Sequence, residues 1–296
     1  MTTATDPSAA TLRARAEALA GNLPPLLAAA EHLAATVVLG DHGRRRAGMG
    51  DEFWQYRPAQ FGDSARMIDW RRSALGDAHF VREREWQAAQ SVLLWVDDGR
   101  SMAYTGDARR ETKAARARLL ALALAVVLVR GGERVGLPGP AAPPRSGGAQ
   151  LLRIATALAA HAGAEEYAQP DGRVLPRHAR AVFLSDFLGD IGGVERALTD
   201  AADRGVRGAL VQVLDPVEEA FPFDGRTVFE SMSGALRFET LKAGDLRDRY
   251  RARLSERKAA LEVLARRTGW HYLCHHTGAP AQSALLWMYQ ALERQG

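Results

Sequence analysis

The stretch SVLLWVDDGRSM, Ser91–Met102, decides how this chain of 296 residues is expected to fold. Its first six residues are apolar except for Ser91, and two aspartates follow at once. A short apolar run with charged residues directly behind it predicts a strand buried on both faces, as in a parallel sheet. Ligands bind such sheets beyond the carboxyl ends of the strands, so the aspartates lie where a site is expected.

Downstream of this strand, strand patterns alternate with helix patterns. Further strands are predicted at Glu133–Leu137, Ala181–Ser185, Gly208–Leu214 and His271–Cys274, a hairpin at Arg226–Phe229 and Ala235–Glu239, and helices at Glu111–Arg130, Gln150–His161, Gly193–Arg204, Ala243–Thr268 and Ala281–Arg294. We therefore predict an α/β fold in which a mostly parallel, Rossmann-like sheet has helices on both faces. We expect Ser91–Val96 in the middle of the sheet, with Ala181–Ser185 beside it.

The residues before 91 are of a different kind. Residues 11–39 predict two helices that are separated at Gly21–Pro25. Residues 43–90 combine tryptophans with many charges, and the alternation over His79–Trp86 predicts an extended strand at a sheet edge, where charge discourages aggregation. We therefore predict an N-terminal helical segment over 1–42, an extended arm over 43–90 and the α/β domain over 91–296.

The composition is that of a globular protein, with 47% hydrophobic and 25% charged residues and a net charge of +4. Cys274 is the one cysteine, so neither an internal disulfide nor a CxxC zinc site can form. The longest strongly apolar run, Leu119–Val129, is shorter than the roughly 20 residues of a membrane span. The first residues lack the basic start and apolar core of a signal peptide. We therefore expect a cytoplasmic protein without membrane insertion.

Three of the predicted strands end in an aspartate: Asp97, Asp186 and Asp215. The carboxyl ends of parallel strands meet at one edge of the sheet, so these carboxylates are candidates for a shared Mg²⁺ site. Aspartate is also a frequent cap of the helix or turn that follows a strand. Both interpretations remain open from the residues alone.

The segment Asp97–Ser101 resembles the Asp-x-Ser-x-Ser metal-ion-dependent adhesion motif of von Willebrand factor A domains, and Asp186 matches the later aspartate of that fold. This resemblance implies a von Willebrand factor A-like domain over 91–296. It also implies a site in which Asp97, Ser101 and Asp186 take part, together with a loop hydroxyl for which Ser146 is the candidate. The chain departs from the motif at Gly99, which replaces the first serine and has no side-chain oxygen.

The loss of that oxygen leads to an expectation about the metal. Mg²⁺ needs near-octahedral oxygen ligands, so we expect weak Mg²⁺ binding or none, and no other cofactor. The alternative is that Arg100 or another nearby arginine neutralises Asp97 and Asp186 in place of the ion. We expect Gly99→Ser to strengthen Mg²⁺ or Mn²⁺ binding, unless such an arginine blocks the pocket.

Residues 43–102 also carry short motifs in a fixed order: Gly50–Phe53, Tyr56-Arg57, Gly62-Asp63, Arg66–Trp70, Ser73-Ala74 and Phe80–Glu85. They resemble the signature of the bacterial domain-of-unknown-function family fifty-eight. The signature positions that we single out as structural are Glu52, Arg57, Asp63, Arg66, Asp69 and Trp70. The resemblance implies partnership with MoxR-type AAA+ ATPases but no reaction.

The mixture of acidic residues and arginines in this block suits an internal ion-pair network, and direct contact with a partner is the alternative.

An enzyme is the main competing interpretation. Haloacid dehalogenase-like phosphatases need Asp-x-Asp, and Gly99 occupies the second position here. Neither a GxxxxGK[ST] phosphate loop nor a GxSxG elbow is present. Cys274 and His275 do not suit a nucleophile and its base, because adjacent residues on a strand point to opposite faces, and a core cysteine is favoured.

Nucleic-acid binding is a third class, supported only by arginines such as Arg44–Arg46 and Arg71-Arg72 without interleaved aromatic stacking platforms. We do not expect a nucleic-acid partner.

The absence of a complete catalytic set and the family resemblance together predict a non-enzymatic protein-binding adaptor. The resemblance implies that it acts with a MoxR-type AAA+ ATPase on an unknown client protein, through a degenerate metal-ion-dependent adhesion site. The alternative is a metal-dependent hydrolase, a nuclease or phosphatase, that uses the strand-end aspartates.

Overall fold

The computed structural model describes residues 26–36, 44–48, 52–59, 68–74, 80–88, 90–160, 163 and 165–293. The helices are α1 (26–35), α2 (Trp70–Ser73), α3 (Lys113–Arg130), α4 (Gly148–Ala160), α5 (Ile191–Asp203), α6 (Pro216–Ala220), α7 (Arg247–Thr268) and α8 (Ala281–Glu293). The strands are β1 (Arg44–Gly48), β2 (Glu52–Pro58), β3 (Phe80–Ala88), β4 (Ser91–Val96), β5 (Arg134–Gly136), β6 (Arg180–Ser185), β7 (Arg207–Leu214), β8 (Thr227–Glu230), β9 (Arg237–Thr240) and β10 (His271–His276).

Five parallel strands form the main sheet in the order β10-β7-β6-β4-β5. The predicted α/β class is confirmed, and the arrangement is consistent with a Rossmann-like or von Willebrand factor A-like fold. β4 is an interior strand beside β6, as expected, but β6 rather than β4 is the central strand. The reason is that only the short strand β5 lies beyond β4, whereas β7 and β10 both lie beyond β6.

Helices cover both faces of this sheet and create two apolar layers. Alternate residues of β4 point to opposite layers: Leu94 packs in the layer that contains α1, α3, α4 and α8, and Leu93 packs in the layer that contains α5 and α7. The part of α3 from Leu120 to Leu128 is buried all round, since it lies between the sheet and neighbouring helices. This explains why the middle of that helix has no polar face.

The described residues divide into two compact units, one within 41–90 and one that combines residues before 41 with those after 90. In the 41–90 unit, β3 pairs antiparallel with β1 on one side and β2 on the other. The strand predicted at His79–Trp86 therefore forms, but it is the centre of its sheet and not an edge. Its charges were interpreted as edge protection, yet both of its edges are hydrogen-bonded. The predicted boundaries at 42 and 90 stay predictions.

Within the part of the chain that the structure describes, none of the helices combines the length and the apolar composition that crossing a bilayer requires.

Candidate functional site

Asp97 directly follows β4 as a buried carboxylate with hydrogen bonds to both oxygens. Its Oδ1 accepts from the backbone N–H groups of Gly99, at 2.7 Å, and Ala168, at 3.4 Å. Its Oδ2 accepts from the Ser185 hydroxyl at 2.5 Å. Burial raises the pKa of Asp97 to about 6; these hydrogen bonds partly oppose the rise, and the charge of Asp186 adds to it.

This raised pKa predicts how Asp97 affects stability as pH changes. Between its ordinary pKa of 3.8 and about 6, the folded state holds a proton that the unfolded chain has released. Raising the pH through this window therefore lowers the contribution of Asp97 to the free energy of unfolding. We expect Asp97→Asn to remove that part of the pH dependence, as measured by urea unfolding from pH ~4 to ~7.

The matched control is Asp203→Asn, since Asp203 is an exposed aspartate at the end of α5. That variant should keep the pH profile of the natural protein. Identical profiles for the natural protein and Asp97→Asn would show that the buried carboxyl group is ionised throughout this range.

A short segment, residues 165–168, lies directly over the loop that follows β4, and we call it the covering segment. The backbone N–H of Arg100 donates to the Glu165 carbonyl at 3.0 Å, and that of Ser101 donates to the Glu166 carbonyl at 2.9 Å. The Glu166 carboxylate in turn accepts from the N–H groups of Met232 and Ser233, in the turn between β8 and β9. One segment thus connects the loop after β4 with the β8–β9 hairpin.

Gly99 is a glycine for reasons of space. A Cβ at this position would lie 2.8 Å from both the backbone nitrogen of Ala168 and the carbonyl oxygen of Glu166, and 2.9 Å from Oδ1 of Asp97. Two of these neighbours are backbone atoms, which cannot rotate away as a side chain can. A serine at position 99 therefore has no room for its side chain, which argues against a gain of metal binding from that substitution.

Asp186, which directly follows β6, forms an ion pair with a buried lysine. Lys113 Nζ lies 2.8 Å from Asp186 Oδ2 and 2.6 Å from Glu218 Oε1, and its side chain is 1% exposed. The other oxygen, Asp186 Oδ1, accepts from the backbone N–H of Leu188 at 3.0 Å. An ammonium group thus lies beside the strand-end carboxylate of Asp186, one of the candidate metal ligands.

The protonation of this ion pair follows from its charges. Burial alone would lower the pKa of Lys113, but the carboxylates of Asp186 and Glu218 outweigh it and raise that pKa, so the lysine is charged at neutral pH. Burial raises the pKa of Glu218, and the ammonium of Lys113 counteracts the rise. The neutralising cation beside Asp186 is therefore a lysine, whereas the expected candidate, Arg100, is exposed.

Asp215 acts as a helix cap. Its Oδ1 accepts from the backbone N–H of Val217 at 2.8 Å, and the Glu218 side chain accepts from the backbone N–H of Asp215 at 2.8 Å, which completes a capping box at the start of α6. Arg110 and Thr277 donate further hydrogen bonds to its carboxylate, each at 3.3 Å. Of the two interpretations of this aspartate, the geometry favours the cap.

The two serines of the expected site lie in different environments. Ser101 is buried, and its hydroxyl has no hydrogen-bond partner among the described residues. Ser146 is exposed and follows Arg145, which bridges antiparallel to Val135 in β5. This register carries the chain past Ser146 toward the amino end of β5, away from the carboxyl edge where Asp97 and Asp186 lie.

The oxygen atoms at this site do not fit a divalent cation as ligands. Both oxygens of Asp97 and both oxygens of Asp186 already accept hydrogen bonds, and one of the hydrogen-bond donors, the Lys113 ammonium, carries a full positive charge. Mg²⁺ would have to displace the ammonium of Lys113 and recruit ligands in near-octahedral geometry. The free hydroxyl of Ser101 is one oxygen, which is too few to replace them.

The signature residues of the 41–90 unit are placed in part. Asp69 caps α2, where its Oδ1 accepts from the backbone N–H of Arg72 at 3.1 Å, and Trp70 is exposed. Glu52 and Arg57 belong to β2. Asp63 and Arg66 lie outside the described residues, so the ion-pair network expected in this block stays a prediction.

Sequence reasoning missed Lys113, Glu218 and the covering segment. The pattern Asp215-Pro216-Val217-Glu218 is a capping-box signature that could have placed Glu218 at a helix start. Thr112 likewise caps α3 by accepting from the backbone N–H of Ala115. The helix predicted at Glu111–Arg130 already includes Lys113 in its first turn, but nothing in the local sequence places it beside Asp186.

Comparisons with known proteins agree with the signature motifs. The family model "Protein of unknown function DUF58" matches residues 55–260. No curated protein matches the chain. The similar solved structures include a conserved hypothetical protein BatB from Bacteroides thetaiotaomicron, with a TM-score of 0.43, and an aerotolerance-related membrane protein from Bacteroides fragilis NCTC 9343, with a TM-score of 0.42. Each is 14% identical and covers 70% of this chain and 100% of its own.

Proposed function

The chain belongs to the DUF58 family of proteins of unknown function, and from that membership and the geometry of its strand-end site we propose that it is a non-enzymatic protein-binding adaptor. Its partners are a MoxR-type AAA+ ATPase, which the signature motifs suggest, and a client protein. The observation that carries the proposal is the Lys113 ammonium, which is buried between Asp186 and Glu218.

This ion pair supports binding rather than hydrolysis. A metal-dependent nuclease or phosphatase needs an ion with an open coordination position, where water or a phosphoryl oxygen is polarised. At this edge Asp186 and Glu218 are neutralised by the Lys113 side chain, which offers no such position. The donor set therefore gives no support to the alternative of a metal-dependent hydrolase.

The β8–β9 hairpin supplies a surface suited to a protein partner. Leu236, Phe238 and Leu241 are 74%, 56% and 73% exposed, which is a concentration of large apolar side chains that commonly marks an interaction site. The β8 strand of the hairpin is packed, because Phe229 stacks against Phe221 with ring centroids 5.6 Å apart. The exposed side chains thus belong to an ordered element.

We expect a Leu236→Ser/Phe238→Ser variant to bind the MoxR-type ATPase encoded nearest to this protein at least about tenfold more weakly than the natural protein, because a few side chains carry most of the binding free energy of an interface. Calorimetry measures the affinity, and the rate of ATP hydrolysis gives an independent readout. The folded state should be unaffected, because both side chains are largely exposed.

Val263→Ser is the matched control for that variant. Val263 is 45% exposed on α7, and its loss should leave ATPase binding unchanged. If the natural protein neither binds the ATPase nor alters its ATP hydrolysis, the adaptor proposal fails. Equal losses of ATPase affinity in the hairpin variant and in Val263→Ser would show that the hairpin is not the interface.

A further inference from the structure

Two potential metal ligands lie on the same face of β10. Cys274 and His276 are separated by one residue, so their side chains point to the same side of the strand. His275 points to the opposite side, where it is buried and its Nε2 lies 2.9 Å from an Nη of Arg116. The alternation of side chains along the strand therefore separates Cys274 from His275 and places Cys274 and His276 on one face.

Glu219 of α6 completes a group of three ligands. The His276 Nε2 is hydrogen-bonded to Glu219 Oε2, and the ligand atoms of Glu219, Cys274 and His276 all lie within 4.8 Å of one another. All three residues are partly buried. One sulfur, one imidazole nitrogen and one carboxylate oxygen form a donor set that suits Zn²⁺ and related transition ions and does not suit Mg²⁺.

The fold holds these ligands in place from two directions. β10 pairs in parallel with β7, with His276 opposite Leu214, and α6 begins just after β7 under the Asp215 cap. Glu219 thus projects from a helix whose start is fixed beside the end of β10. A cavity of about 580 Å³ opens next to the group, with Glu219, Arg251 and His276 among its lining residues.

Lys258 of α7 already places a positive charge at this group. Its Nζ forms an ion pair with Glu219 Oε1. The Lys258 side chain is 22% exposed, and it can move into solvent without leaving a buried charge behind. The same position can therefore be held by the ammonium or by a metal ion.

We propose that Glu219, Cys274 and His276 form a binding site for a thiophilic divalent transition ion of the Zn²⁺ class, with a fourth coordination position that faces the cavity. On binding, the Cys274 thiol releases its proton to solvent as the sulfur–metal bond forms. The Lys258 ammonium withdraws as the ion takes its place beside Glu219. This site is separate from the Lys113 ion pair and does not depend on the adaptor function.

Co²⁺ is the probe for this site, because its thiolate complexes give a charge-transfer band in the near ultraviolet and tetrahedral Co²⁺ absorbs intensely in the visible. Titration of the full chain, free of any affinity tag, should produce both signals. Cys274→Ser should abolish the charge-transfer band. His276→Ala and Glu219→Gln should each weaken binding by at least about tenfold, the lower bound seen when even outer partners of a metal are lost.

Matched controls separate this site from weak surface binding. His32→Ala removes an exposed histidine of α1, and Glu256→Gln removes an exposed carboxylate of α7; both should leave the Co²⁺ affinity unchanged. Lys258→Met removes the competing ammonium and should strengthen binding. Circular dichroism establishes that each variant is folded, and Cys274→Ala replaces Cys274→Ser if the latter is not.

Three results would overturn the proposal: no Co²⁺ binding by the natural protein, binding without the thiolate band, or a band that survives the loss of Cys274. Unchanged or weaker binding by Lys258→Met would count against competition between the ammonium and the metal.

Discussion

Replacing Lys113 by alanine is expected to lower the free energy of unfolding by about 3–5 kcal/mol at neutral pH, because removal of one member of a buried ion pair leaves the other charge uncompensated. Lys113 neutralises Asp186, which is fully buried, and Glu218, whose side chain is 13% exposed. Without the ammonium, the carboxylates must either stay ionised in an apolar setting or take up protons. Urea unfolding at neutral pH measures the loss.

Two companion variants locate the effect in this ion pair. Lys113→Ala combined with Glu218→Gln should recover part of the loss, because one uncompensated charge is removed with the lysine. Arg173→Ala breaks an exposed ion pair with Asp171 and should change stability by less than about 1 kcal/mol. A loss of that small size in Lys113→Ala would mean that water reaches the carboxylates.

Lys113→Ala also tests the conclusion that the strand-end site of the natural protein does not bind Mg²⁺. With the ammonium gone, Asp186 and Glu218 are free to bind a cation, so Mg²⁺ should raise the stability of Lys113→Ala. The natural protein should show no such shift. Stabilisation of the natural protein by Mg²⁺ would contradict the conclusion that its strand-end donors do not fit a metal.

Gly99→Ser is expected to destabilise the protein by about 3 kcal/mol, the upper part of the range for side chains forced into filled space. The new Cβ meets the backbone of Ala168 and Glu166, so either the loop after β4 or the covering segment must move. We therefore expect no gain in Mg²⁺ affinity from the added hydroxyl. Urea unfolding and calorimetry with Mg²⁺ measure the two quantities.

Gly148→Ser is the matched control for this substitution. Gly148 begins α4, and a Cβ there has no neighbour within 4 Å, so the change should stay within about 0.5 kcal/mol. If Gly99→Ser is as stable as Gly148→Ser and binds Mg²⁺ tightly, the covering segment is easily displaced and the missing serine is what prevents metal binding.

The strands were predictable because buried parallel strands leave an apolar run with sharp ends. Ser91–Val96 was predicted with both ends correct, and the strand predicted at Ala181–Ser185 begins one residue earlier, at Arg180. Their order in the sheet was less accessible. How central β4 is depends on which strands pair beyond it, with β5 on one side and β6, β7 and β10 on the other. Such pairing depends on tertiary contacts that a local pattern does not carry.

The candidate site was predictable in its acidic members and not in its cation. Asp97 and Asp186 follow strands, so local sequence is enough to bring them to one edge. Lys113 is 73 residues from Asp186 in the chain and looks like an ordinary first-turn helix residue. Only the packing of α3 against the sheet gives it a role. The covering segment, which leaves no space for a Cβ at Gly99, likewise lies about 70 residues further along the chain. Nothing in the sequence around Gly99 indicates that it packs there.

The buried ammonium of Lys113 also determines how this edge of the sheet responds to the surrounding solution. A bound divalent ion is an exchangeable counter-ion whose occupancy follows its free concentration and collapses in the presence of a chelator. Lys113 is part of α3 and cannot dissociate. Its ammonium group therefore stays beside Asp186 once the helix has packed, whatever the concentration of free ions. The charge balance at Asp186 and Glu218 is therefore the same in magnesium-poor and magnesium-rich media.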